Sequence, residues 1–163
     1  SYKEVVQKNI ITKEELRLGK IKYDDKILHR SRLLRYFNNE IDQKKAQKDF
    51  IRIYKKIKKN RKYFFSAKDL ALVESLARDG FEIPKELDYP EISKKYSIPS
   101  NLLELGKSKQ SAFLTLKLVE IIGEDEAYNL DPETIYFITH LLNQNNLKKI
   151  RNEILISALP QRS

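Results

Sequence analysis

His29 and His140 are the only histidines in a 163-residue chain that contains no cysteine. Any metal centre or general base must therefore be built around one of them or around carboxylates. Neither stands in an HExxH run or in another metal-ligand spacing, and an imidazole standing alone is ordinarily a structural hydrogen-bonding group. The hydroxyls of Ser66 and Ser100 fall where helices should begin, and capping accounts for a serine there. No GxSxG elbow, P-loop or GxGxxG pattern occurs. Glu124, Asp125 and Glu126 form an acidic run, but it lacks the alternating oxygen ligands and central glycine of a calcium loop. Catalysis, a bound cofactor and a metal centre are not expected.

Cations are the more informative residues. His29, Arg30 and Arg32, with Arg35 three positions on, follow Asp24 and Asp25. On a helix Arg32 and Arg35 would share one surface and offer guanidinium forks to an anion. The same arginines could equally pair with carboxylates of a neighbouring helix as a structural network. A longer run follows. Between Lys44 and Lys62 lie ten of the chain's 32 basic residues and one of its 23 acids, Asp49, so this stretch holds the whole formal excess of +9. Lys44, Lys48, Arg52, Lys55 and Lys59 would line one side of a helix, opposite its apolar residues. Such a face suits nucleic-acid phosphates, anionic lipid headgroups or an acidic protein. It also suits a merely solvated surface, because the composition is rich in Lys, Ile and Asn throughout. Tyr63, Phe64 and Phe65 adjoin the run, where they either fill core or offer rings for stacking on bases.

The elements that must carry these residues all read as helices. Short helices are expected over Tyr2 to Ile10 and from Thr12, whose spacing to Glu15 matches a capping box, to Gly19. Asp24 or Asp25 should cap a third helix running to Phe37, with Ile27, Leu34 and Phe37 on its buried side. Asp42 should cap the basic helix, in which Ala46, Phe50, Ile53, Tyr54 and Ile57 share a face at about 100° per residue. Ser66 opens a helix that Gly80 closes in a left-handed cap. Residues 81–99 hold three of the five prolines and read as a flexible connector. Ser100 can cap a further helix, Lys109 to Ile122 reads as a longer one ended by Gly123, and Asp131-Pro132 is a strong start signal. A helix from there to Leu142, a turn over Asn143 to Asn146 and a last helix from Leu147 to Ala158 make an αα-hairpin.

The fold class expected is all-α: about seven to eight short helices in a helical bundle or a solenoid-like stack of αα-hairpins. With 40% apolar and 34% charged residues, a single domain over residues 1–163 can bury its own core. No apolar run approaches the roughly 20 residues that span a bilayer. The chain starts at Ser1 and contains no methionine, which suggests a processed product or a piece cut from a longer protein.

The stretch from Gly19 to Phe37, with Asp69 to Leu76 and the ending Leu147 to Pro160, resembles the C-terminal region of large, repeat-like helical proteins of the alphaproteobacterial cell envelope. That resemblance implies a bacterial scaffold, placed in the periplasm or envelope, with no known reaction. In those relatives the block matching His29 to Phe37 is the most recognisable, which makes His29, Arg30, Arg32 and Arg35 the first choice for a site. The basic run departs from their more mixed charge. We therefore expect a non-enzymatic helical scaffold or protein-interaction domain whose partner is a protein. The alternative is a polyanion-binding module, for nucleic acid or an anionic membrane surface, that uses the helix over 44–62. Cytoplasm remains open beside the envelope.

Overall fold

The computed structural model describes residues 22–96, 100, 111–122 and 127–159. The expected helices over Tyr2 to Ile10 and Thr12 to Gly19, the Ser100-capped helix beyond its first residue, and the acidic run at Glu124 to Glu126 lie outside them. Among the described residues there is no strand. Seven α-helices follow in order: α1 (Leu34–Phe37), α2 (Gln43–Lys58), α3 (Ala67–Arg78), α4 (Tyr89–Ser93), α5 (Ser111–Ile122), α6 (Pro132–Gln144) and α7 (Lys148–Ala158). Two 3₁₀ turns, Leu28–Arg30 and Ala127–Asn129, accompany them. No helix among these residues is long and apolar enough to cross a membrane.

Caps explain where most helices start and stop. Asp42 accepts the Lys45 amide at 2.7 Å and Asp131 accepts the Thr134 amide at 2.8 Å, each satisfying a donor that the first helical turn leaves free. Ser66 and Asp69 exchange side-chain-to-amide bonds in a reciprocal capping box. Three helices end in one motif. After α1, α3 and α6 an amide reaches back five residues (Glu40 to Arg35, Phe81 to Leu76, Leu147 to Leu142) over a residue of positive φ. Those residues are Asn39 (59°), Gly80 (92°) and Asn146 (57°).

The third helix expected from Asp24 or Asp25 to Phe37 is instead a 3₁₀ turn, a break at Ser31 and the four-residue α1. Side chains take the amides that a continuous helix would have used. Asp24 accepts from Lys26, Asp25 from Arg32, the Tyr63 hydroxyl from Leu28 and Asp69 from His29. The connector also differs from expectation. It contains α4, capped by Asp88, and its Phe81 and Leu87 are buried in the core while Ile83, Tyr89, Ile92 and Tyr96 pack against it. Residues 81–96 are thus held on the body of the protein by apolar burial.

Helix α3 is the centre of the molecule. Seven consecutive residues from Ala67 to Val73 are buried, as befits a helix covered on all sides. It packs chiefly on α6. Helix α2 contributes Ala46, Phe50, Ile53 and Ile57 to the same core; full burial of Phe50 and Ile53 is worth about 1.5–3 kcal/mol each. A second, smaller cluster lies across the α6–α7 hairpin, where Leu114 and Leu118 of α5 meet Ile138, Leu141, Leu142 and Ile154. The hairpin thus packs on α3 through one set of residues and on α5 through another.

Candidate functional site

The four residues of the first expected site go to separate places. His29 is bound to α3: its Nδ1 lies 2.7 Å from Asp69 Oδ1, and its backbone amide donates to the same oxygen at 3.0 Å. The other oxygen, Asp69 Oδ2, accepts from the Tyr63 hydroxyl at 2.8 Å and the Ser66 amide at 3.1 Å. Asp69 is fully buried, and these four contacts satisfy both of its oxygens. Arg32 forms an ion pair with Asp25, which lies on the preceding turn, while its buried Nε has no partner. Arg30 and Arg35 have no carboxylate within ion-pair distance among the described residues. Arg30 lies near Lys68, whose ammonium is pushed below its ordinary range by burial first and by that guanidinium second.

The buried polar chemistry is organised by α3, around residues that sequence reasoning did not single out. Asp69, Glu74 and Asp79 follow at five-residue intervals, and each takes one tyrosine hydroxyl and at least one basic side chain. For Asp69 these are Tyr63 and His29. For Glu74 they are Tyr136, at 3.2 Å, and His140, whose Nδ1 is 2.6 Å from the carboxylate. For Asp79 they are Tyr36, at 2.8 Å, and Arg151, whose Nη1 and Nη2 make a two-pronged contact at 2.9 and 2.8 Å.

Arg151 is the most deeply enclosed of these bases, at 1% exposure. Besides Asp79 it donates to Asn143, to the Ser75 carbonyl and to Asn152, and it lies over the Phe37 ring. Lys148 adds a second cation, 3.4 Å from Asp79. Burial alone would raise the Asp79 carboxyl, but the hydrogen bonds from Arg151 and Tyr36, with both nearby charges, hold it below the ordinary carboxylate range. The tyrosines respond in the opposite sense. Burial, then the adjacent carboxylate, pushes the phenols of Tyr36, Tyr63 and Tyr136 well above their ordinary value. One signal pointed to this network: Arg151 is a lone cation among Ile150, Ile154, Leu155 and Ala158, so a core-facing position there demands a buried acid.

A carboxylate bound to imidazole is also the arrangement that orients a catalytic base. Here each carboxylate is shared with a tyrosine, and among the described residues neither histidine's Nε2 has a hydrogen-bond partner. No group of three or more His, Asp or Glu among those residues could hold a metal ion. These clusters fasten one element to another.

The basic helix presents a different chemistry. At about 100° per residue, Lys44, Lys48, Arg52, Lys55 and Lys59 fall within an arc of about 80°, centred opposite the buried face of α2. All five are exposed. Arg52 is bound to Asp49, itself largely buried. On the flanks Lys56 lies 3.8 Å from Asp25 and Lys58 3.1 Å from Glu86. Lys44, Lys48, Lys55 and Lys59 have no carboxylate within ion-pair distance among the described residues. Beyond them Arg61 and Lys62 are exposed. Of the aromatic run, Tyr63 and Phe65 pack against the core, whereas Phe64 is 74% exposed.

Comparison with known proteins gives no match: no family model, no curated protein and no solved structure matches this chain.

Proposed function

We propose that this chain is a non-enzymatic helical interaction domain that docks an anionic partner on the exposed face of α2, the remaining helices serving as its rigid support. The observation that carries the reading is the state of the cations. Of the lysines on the flanks of α2, Lys56 and Lys58 are engaged by Asp25 and Glu86, while Lys44, Lys48, Lys55 and Lys59 stand in one line, with Lys45 at its edge, and have no carboxylate beside them among the described residues. A line of like charges with no counter-charge raises the local potential and is relieved by an anionic partner. The opposite face of α2 is anchored by Phe50, Ile53 and Ile57, so the array is presented on a fixed rod about 22 Å long. The resemblance to envelope proteins supports a scaffold role and the envelope as its place.

The test is binding of inorganic polyphosphate, a polyanion with neither bases nor lipid, to the full chain at increasing salt. Saturable binding that weakens steeply with salt is expected, and Lys44→Gln, Lys48→Gln, Lys55→Gln and Lys59→Gln together should abolish it. Arg52 is left intact, because removing it would strand the Asp49 charge. Non-saturable retention, or equal binding by the fourfold variant, would refute the reading.

A further inference from the structure

We infer that the anionic partner of α2 is a single-stranded nucleic acid, its phosphates along Lys44, Lys48, Lys55 and Lys59 and a base stacked on Phe64. The inference rests on the docking face proposed above and adds the identity of what docks there.

The shape of the charge selects among polyanions. The four lysines form a narrow line, with steps of about 6–11 Å along the helix axis. A bilayer would meet a broad disc of cations, yet of the lysines that would widen the line Lys56 and Lys58 are turned to Asp25 and Glu86, and the exposed Lys45 extends its arc only to about 100°. A line fits a linear chain of phosphates. Lysine ammoniums are point charges without the fork that reads a guanine edge, so contact along the line is made to backbone without regard to sequence.

Phe64 supplies the second observation. Its neighbours Tyr63 and Phe65 are packed on the core, so its 74% exposure is a local exception within an aromatic run. The chain between it and the line is short and compact. Hydrogen bonds from the Asn60 amide to the Ile57 carbonyl and from the Tyr63 amide to the Asn60 carbonyl turn it off the end of α2, and the exposed Arg61 and Lys62 carry positive charge along the four residues between Lys59 and Phe64. An accessible ring at the end of a cationic track is what unpaired bases use, since every base has a face to stack. Bases inside a duplex are already stacked, and inorganic polyphosphate has no such face to offer.

The experiment measures fluorescence anisotropy of a labelled mixed-sequence single strand with the full chain, beside its duplex, inorganic polyphosphate and vesicles containing anionic lipid. The single strand should bind most tightly, with a slope of log affinity against log salt near about −3 for four phosphate contacts. Phe64→Ala, at an exposed position that does not support the core, should weaken the single strand by roughly tenfold and leave polyphosphate unchanged. The Lys48→Gln, Lys55→Gln variant should weaken both. If Phe64→Ala leaves single-strand affinity unchanged, or if duplex or vesicles bind as well as the single strand, the single-strand assignment is overturned while the basic docking face stands. Failure of every polyanion to bind would overturn both.

Discussion

Arg151 and Asp79 form the pair on which the buried chemistry depends most. Two opposite charges in apolar surroundings stabilise little relative to a well-packed apolar pair, but either one alone is costly to hold there. Arg151→Met should therefore lower the unfolding free energy by about 3–5 kcal/mol, because it leaves Asp79 with a buried charge that only Tyr36 and Lys148 still meet. Adding Asp79→Leu should restore a large part of that loss. Urea unfolding of the single and double variants reads this directly; a double variant as unstable as the sum of the two singles would show that the charges are not coupled. The pair was only half legible in the sequence. Arg151 stands out as a cation in an apolar pattern, but nothing near it in the chain identifies Asp79, 72 residues away, as its acid. The lysine line was fully legible, because helical period and charge alone define it, and so was the coming exposure of its four ammoniums. That Arg52 leaves the line to cover Asp49 depends on the acid's burial, which spacing alone did not reveal.

At the scale of elements, legibility followed the origin of the backbone hydrogen bonds. Asp42, Ser66 and Asp131 cap the helices they were expected to cap, since their partners lie three residues along. Asp131→Ala should cost about 1 kcal/mol by removing the bond to the Thr134 amide. Gly80→Ala should cost about 1–2 kcal/mol. A methyl there would meet only Gln43 Nε2 at 3.7 Å, an ordinary contact, so the loss comes from the left-handed backbone itself. Thermal melting checks both, with falls of about 2–4 °C per kcal/mol for a chain of this size; an unchanged midpoint in either would mean that the helix boundary does not depend on that residue. The expected long helix before Phe37 failed for the complementary reason. Its amides at Leu28 and His29 are taken by Tyr63 and Asp69, 35 and 40 residues away, and helical periodicity carries no trace of such partners.

At the scale of the whole molecule, Asp79 and the buried tyrosines Tyr36, Tyr63 and Tyr136 set the pH range of the fold. Asp79 has a native pKa below its unfolded value, so its contribution is present above about pH 4 and is lost as pH falls through the lower, native value. The phenols of Tyr36, Tyr63 and Tyr136 are raised, so theirs is complete below about pH 10 and is lost as pH rises beyond that. The midpoint of urea unfolding should hold across neutral pH and fall at both ends. Tyrosinate absorbance should show these three phenols ionising only as the chain unfolds, and their titration in the folded protein would contradict the burial described above. The same three stations have a further consequence. Each ties α3 to different surroundings: Asp69 to the 3₁₀ turn at Leu28–Arg30, Glu74 to α6, and Asp79 to both α1 and α7. Apolar faces of Leu and Ile would tolerate α6 or α7 sliding by one turn, about 5.4 Å, with little change in buried area. Such a slide would carry His140 away from Glu74 and strand Arg151 in hydrocarbon. The polar stations therefore act as an alignment code, separating the native registry of these helices from its nearest misfolded neighbours.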